Sequence, residues 1–175
     1  MARLTYNRAM KKIAVYPGTF DPVTNGHLDL LTRAQQIFDE VIIAISDNPR
    51  KNPLFSIEER TALLEQAVSD RSHVKVDSFN DLLVNYMHEN EVYFVIRGLR
   101  AVSDFEYEFQ LASANRRLDS RIETIFLTPL EQNYFVSSSL VREISHYGGD
   151  TSSFVPKHVE TALREKWLSM GRDIK

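Results

Sequence analysis

Five short apolar runs rich in β-formers recur along the chain, at residues 13–16, 41–45, 74–77, 93–96 and 122–127, and stretches of helical period separate them. This alternation restricts the fold more than any other feature. The largely apolar character of the runs suggests strands covered on both faces, as in a parallel sheet. Between them, Leu30, Leu31, Ala34 and Phe38 form one helical stripe, and Leu63, Leu64, Ala67 and Val68 a second. Leu82, Leu83, Tyr86 and Met87 mark a third, and Phe105, Phe109 and Ala112 a fourth. Ser56 followed by Glu59 reads as a capping box that opens the second helix. A fifth helix is expected over 138–147, stopped by Gly148-Gly149, and a last one over 156–170.

Strict strand–helix alternation implies right-handed crossovers. The expected fold is one Rossmann-like, doubly wound α/β domain: a five-stranded parallel sheet with helices on both faces. Its 175 residues suffice for a substantial core. Met10-Lys11-Lys12 reads as an alternative natural start. Residues 1–9 are therefore expected to be a disordered or loosely packed extension, and 10–175 the domain. No apolar run approaches the ~20 residues of a membrane helix, and the polar, basic first residues lack a signal-peptide core. Cys is absent, which suits a cytoplasmic protein, and a net charge of −3 argues against a nucleic-acid surface.

In such a fold, ligands sit beyond the carboxyl ends of the strands, at the switch in winding direction. Chemically suggestive residues do follow the strand ends. Tyr16-Pro17-Gly18-Thr19-Phe20-Asp21-Pro22 succeeds the first strand, and Thr24-Asn25-Gly26-His27 opens the next helix. Gly18 and Gly26 permit close backbone approach, and the helix start favours phosphate. Neither a Walker loop nor a G-x-G-x-x-G occurs. His27 shares a face with residues 30, 31, 34 and 38, so it points over the sheet edge. It is either a donor to phosphate or a helix-start histidine satisfied locally.

After the second strand, 46–53 form a turn-rich loop holding Arg50 and Lys51, whose plain reading is a solvated loop. Arg97-Gly98-Leu99-Arg100 follows the fourth strand, with forked donors beside an approachable backbone. Arg100 has the alternative of pairing with Asp104 or Glu108. Glu108 shares a helical face with Phe105, Leu111 and Ala112, where a carboxylate needs a ligand or an arginine. Past the fifth strand, Asn133-Tyr134-Phe135-Val136-Ser137-Ser138-Ser139-Leu140-Val141-Arg142 leads into a helix whose hydroxyls and free N–H groups suit phosphate.

The 16–27 run resembles the first signature of the H-x-G-H nucleotidyltransferases, in the variant with Thr first. Its P-G-T-F-D-P-x-T-N-G-H form is more similar to phosphopantetheine adenylyltransferases than to cytidylyltransferases or nicotinamide mononucleotide adenylyltransferases. The run from Arg97 to Glu108 resembles the same family, and the serines with Arg142 resemble the second signature, S-S-S-x-x-R. The resemblance extends from about residue 10 to residue 156.

The resemblance implies transfer of the adenylyl group of ATP to 4′-phosphopantetheine, giving dephospho-coenzyme A and pyrophosphate. It implies that His27 stabilises the pentavalent α-phosphate, and that Thr19 touches both substrates. Lys51, Leu83 and Arg97 would contact the acceptor; spacing alone reads Leu83 as core. Phe20, His27, Gly98, Leu99, Arg100, Glu108 and the run Asn133, Tyr134, Phe135, Val136, Ser137, Ser138 and Ser139 would contact ATP. Where the family usually has an aromatic followed by a small residue, this chain has Asn133-Tyr134. Either Tyr134 replaces that aromatic, or phosphate and backbone contacts hold the nucleotide.

A phosphate monoester is already nucleophilic, so no general base is required and none is evident. Mg2+ would arrive with ATP, with few or no protein ligands. The resemblance also suggests a homohexamer and feedback inhibition by coenzyme A. Alternative readings are transfer to nicotinamide mononucleotide or glycerol phosphate, or a non-catalytic ATP-binding module. Simple binding, however, needs no α-phosphate donor.

Overall fold

The computed structural model describes residues 11–48, 52–100 and 102–171. The strands are β1 (Ile13–Gly18), β2 (Glu40–Ser46), β3 (Val74–Phe79), β4 (Phe94–Gly98) and β5 (Glu123–Leu127). The helices are α1 (Asn25–Ala34), α2 (Ile57–Ala67), α3 (Leu83–Glu89), α4 (Val102–Leu118), α5 (Ser138–His146) and α6 (Lys157–Ser169). All five strands are parallel, in the order β3-β2-β1-β4-β5. The chain winds outward from β1 through β2 to β3, crosses back to β4, and continues to β5. The switch in winding direction, where ligands are expected, therefore falls between β1 and β4.

Side chains alternate across the sheet. Ala14 and Tyr16 enter a core shared with Leu31 and Ala34 of α1, Leu64 of α2, Val141 of α5 and Leu163 of α6. Val15, between them, enters the opposite core with Ile42, Val95, and Val84 and Met87 of α3. Burying a side chain such as Leu31 contributes ~1.5–3 kcal/mol, so the two faces lock the register of β1 from both sides.

Three elements differ from the periodic reading. α1 stops at Ala34, yet Phe38 stays buried in the following loop, its ring 5.6 Å from that of Phe94. β3 alternates in burial because it is an edge strand. The Phe105–Phe109 stripe of α4 is not core: the two rings stack at 5.7 Å but are 46% and 55% exposed. Periodicity identifies an apolar face without identifying what covers it. The expected capping box is present, with Glu59 N–H donating to Ser56 Oγ and Ser56 N–H donating to Glu59 Oε2. The last turn of α5 closes at Gly148, whose φ of 75° suits glycine.

Candidate active site

A cavity of about 800 Å³ opens at the carboxyl ends of β1 and β4. Gly18, Thr19, Phe20, Gly26 and His27 form its floor from the β1 side, and Arg97, Gly98, Arg100 and Glu108 from the β4 side. Asn133, Val136, Ser137, Ser138, Ser139 and Arg142 close one wall; Leu82, Leu83, Leu111, Ala112 and Asn115 close another.

The first turn of α1 fixes His27. Thr24 is the N-cap, and its Oγ accepts the His27 backbone N–H at 3.4 Å. In return, Nδ1 of His27 accepts the Thr24 N–H at 3.0 Å, so the imidazole occupies the place usually taken by a capping-box Glu. Thr24 Oγ also lies 3.0 Å from Nδ1. A nitrogen that accepts a backbone N–H carries no proton itself, which leaves the proton of the neutral ring on Nε2. Burial, and then the Arg100 charge, lower the His27 pKa from 6.5 to about 4. The free site therefore holds a neutral Nε2–H donor at physiological pH.

Phe20 backs this ring, meeting it edge-on at 4.9 Å while Tyr16 meets Phe20 at 5.4 Å. The Phe20 backbone has φ 48°, uncommon for an aromatic residue, and its ring lies across Gly18. A Cβ at Gly18 would stand 2.8 Å from Phe20 Cε2, so the bare glycine makes room for the ring that supports His27. At Gly26 the nearest atom to a Cβ would be 3.6 Å away, so packing does not demand glycine there. Its small size instead keeps cleft space open beside Asn133.

The β4 end divides its charges. Arg97 holds Glu108 in a two-point pair, Nε to Oε2 at 2.5 Å and Nη2 to Oε1 at 2.6 Å, and donates through Nη1 to Pro17 O at 3.0 Å. Arg100 pairs with Asp104 at 3.1 Å and reaches Val136 O at 3.3 Å. Of the two partners the sequence leaves open for Arg100, the fold selects Asp104. Gly98 packs so closely on α1 that a Cβ would lie 2.5 Å from Leu30 Cδ1.

The serine run is stitched to the β1 loop. Ser137 caps α5 through Leu140 N, and Ser138 Oγ donates to Pro22 O at 2.8 Å. Arg142 donates to Asp21 Oδ2 at 2.6 Å. Asp21, 1% exposed, also accepts the N–H groups of Leu54 and Phe55. The two signature segments thus form one structure around the cleft.

Most of the expected site residues line this cleft. Leu99, Tyr134 and Phe135 are not in its wall: Leu99 N–H bonds to Leu127 O, and Tyr134 and Phe135 are 36% and 85% exposed. Lys51 and residues 1–9 lie outside the described residues. Asp21, Arg142 and Asn115 line the cleft without having been singled out as ligand contacts. Asp21 and Arg142 stood within the quoted runs, while Asn115 carried no signal beyond its place on the Glu108–Ala112 face.

Among the described residues, no group of three or more His, Asp or Glu is arranged to hold a metal ion. The cleft carboxylates have other partners: Asp21 with Arg142, Glu108 with Arg97, and Asp81 with Leu82 N–H and Asn85.

A parallel sheet with a neutral imidazole at its switch point, facing arginines and a serine-capped helix, defines a nucleotidyltransferase. Accordingly, residues 15–144 match the cytidylyltransferase-like family. The chain is 53% identical over 159 residues to the phosphopantetheine adenylyltransferase of Thermodesulfovibrio yellowstonii, covering 90% of this chain and 99% of that one. The chain belongs to the phosphopantetheine adenylyltransferase family. Two solved structures share the fold. A candidate nicotinate-nucleotide adenylyltransferase from Vibrio parahaemolyticus has a TM-score of 0.67 at 19% identity, over 93% of this chain and 94% of that one. A bifunctional NMN adenylyltransferase/ADP ribose pyrophosphatase from Francisella tularensis has a TM-score of 0.70 at 18% identity, over 94% of this chain and 51% of that one.

Proposed function

We propose that the protein transfers the adenylyl group of ATP to 4′-phosphopantetheine, releasing pyrophosphate and forming dephospho-coenzyme A. The observation that carries the mechanism is the Thr24–His27 contact, which leaves Nε2–H as a donor in the cleft. The acceptor's phosphate oxygen attacks the α-phosphorus, the bond to the pyrophosphate bridge breaks, and His27 stabilises the charge on the α-phosphate oxygens. No proton need be abstracted, so catalysis rests on alignment and fixed charge.

Arg100, Gly98 and Ser137, Ser138 and Ser139 would hold the triphosphate, with Phe20, Asn133 and Val136 bordering the nucleotide. Thr19 stands where both substrates meet. Arg97, oriented by Glu108, and Lys51 would take the acceptor phosphate, and Leu83 the pantetheine arm. Leu99, Tyr134 and Phe135 would contribute through the backbone at most. Magnesium enters with ATP as part of the substrate.

Coenzyme A carries both the pantetheine arm and an adenine nucleotide, so it suits the same cleft as a feedback inhibitor. The exposed Phe105 and Phe109 faces, with Phe126 of β5 at 6.4 Å from Phe105, supply an apolar surface for a homohexamer. Soluble anionic substrates suit a cytoplasmic enzyme. Pyrophosphate release from ATP, measured with 4′-phosphopantetheine, nicotinamide mononucleotide and glycerol phosphate in parallel, tests the reading. Release is expected with the first alone, and release with either of the others in its place refutes the assignment.

A further inference from the structure

Arg60 is the largest fully buried side chain of the protein among the described residues, at 1% exposure, and it lies outside the cleft wall. It continues the buried stripe of α2, one turn before Leu64. Its Nη1 donates to two carbonyls, Thr19 O at 3.0 Å and Ser46 O at 3.1 Å, and its Nε to Ser56 O at 3.3 Å. The carboxylate nearest to it, Asp47, stands 3.5 Å away and is 42% exposed. A buried guanidinium so weakly paired is a poor device for stability, since an apolar side chain of similar volume would avoid its desolvation. What it accomplishes is geometric. Its planar fork ties the end of β2 and the start of α2 to the loop after β1. Thr19 and Ser46, whose carbonyls it holds, both line the cleft.

We propose that Arg60 is a positioning residue for the transfer reaction. It fixes the Thr19 and Ser46 backbones, and through them the distance from the acceptor side of the cleft to His27. Its hydrogen bonds, to Thr19, Ser46, Ser56 and Asp47, do not reach Gly98, Arg100 or the serine run, which build the rest of the ATP side. The assignment rests on the proposed adenylyl transfer. An error of an ångström in the Thr19 wall spoils the alignment of attacking phosphate and α-phosphorus while leaving nucleotide binding intact.

Arg60→Met and Arg60→Lys, assayed beside the parent protein, test this. Melting curves establish folding, calorimetry gives ATP affinity, and steady-state kinetics separate kcat from the acceptor KM. Folded Arg60→Met is expected to bind ATP within about twofold of the parent, with kcat down about tenfold or more and acceptor KM raised. Arg60→Lys, whose ammonium reaches carbonyls without the fork, should recover part of that loss. Parental kcat and KM in folded Arg60→Met would overturn the assignment. So would equal losses in ATP affinity and turnover, or failure of both variants to fold, each of which leaves Arg60 a purely structural residue. A parent inactive with 4′-phosphopantetheine would instead refute the proposed function, and the role of Arg60 with it.

Discussion

Thr24 and His27 cap one another: each gives its backbone N–H to the other's side chain, at 3.4 Å to Thr24 Oγ and 3.0 Å to His27 Nδ1. One interaction thereby both starts α1 and chooses the tautomer of its imidazole. Thr24→Val removes the hydroxyl half of this exchange. It should cost ~1 kcal/mol of stability, typical of a lost N-cap, and reduce turnover, whereas Thr24→Ser should retain both. Thermal unfolding and kcat, measured together, check the pair.

The His27 pKa, lowered to about 4 by burial and Arg100, makes a second prediction. An NMR titration of the His27 ring should have a midpoint near that value in the free protein, and Arg100→Gln should raise it. Bound triphosphate should raise it further, because negative charge favours the imidazolium. The folded state binds fewer protons than the unfolded state between that midpoint and 6.5. Stability contributed by the neutral ring is therefore lost as pH falls through this window, and His27→Gln should flatten that dependence. An ordinary midpoint would contradict the donor assignment.

Glu108 holds the Arg97 guanidinium in a two-point pair at the cleft. With the side chains 13% and 23% exposed, the pair is shielded enough that its loss should be felt. Glu108→Ala removes the two-point pair and leaves Arg97 its bond to Pro17 O, so acceptor KM should rise about tenfold, in line with one charge-assisted contact. Arg97→Ala should weaken acceptor binding by roughly 10–150-fold, the equivalent of ~1.5–3 kcal/mol. Calorimetry with 4′-phosphopantetheine decides, and unchanged binding in both variants would exclude the contact.

Much of this is legible in the amino-acid sequence. The parallel sheet and the inward His27 follow from apolar runs and helical spacing, because burial enforces those periods. Three matters are not. The partners of Arg97 and Arg100 depend on how α4 leaves β4, since Arg100 could reach either Asp104 or Glu108. Arg60 interrupts an apolar stripe, but its carbonyl partners come from segments brought together only by the fold. The exposure of Phe105 and Phe109 depends on what packs against α4, which periodicity does not register.

Tyr134 offers a sharp case. It stands beside Asn133, yet it is outside the cleft wall and Asn133 is inside it. Tyr134→Leu should leave the ATP dissociation constant within about twofold of the parent. Loss of a stacking contact worth ~1–3 kcal/mol would instead raise it about fivefold or more. Calorimetric titration distinguishes the two.

Exchange of labelled pyrophosphate into ATP tests the central claim most directly, run with the parent and with His27→Ala, with and without dephospho-coenzyme A. In the parent, exchange should require dephospho-coenzyme A. His27→Ala should bind ATP within a few fold of the parent while exchange falls by ~10²-fold or more, as loss of a transition-state donor does. Absence of exchange in the parent, or a His27→Ala defect confined to substrate affinity, would contradict adenylyl transfer driven by this histidine.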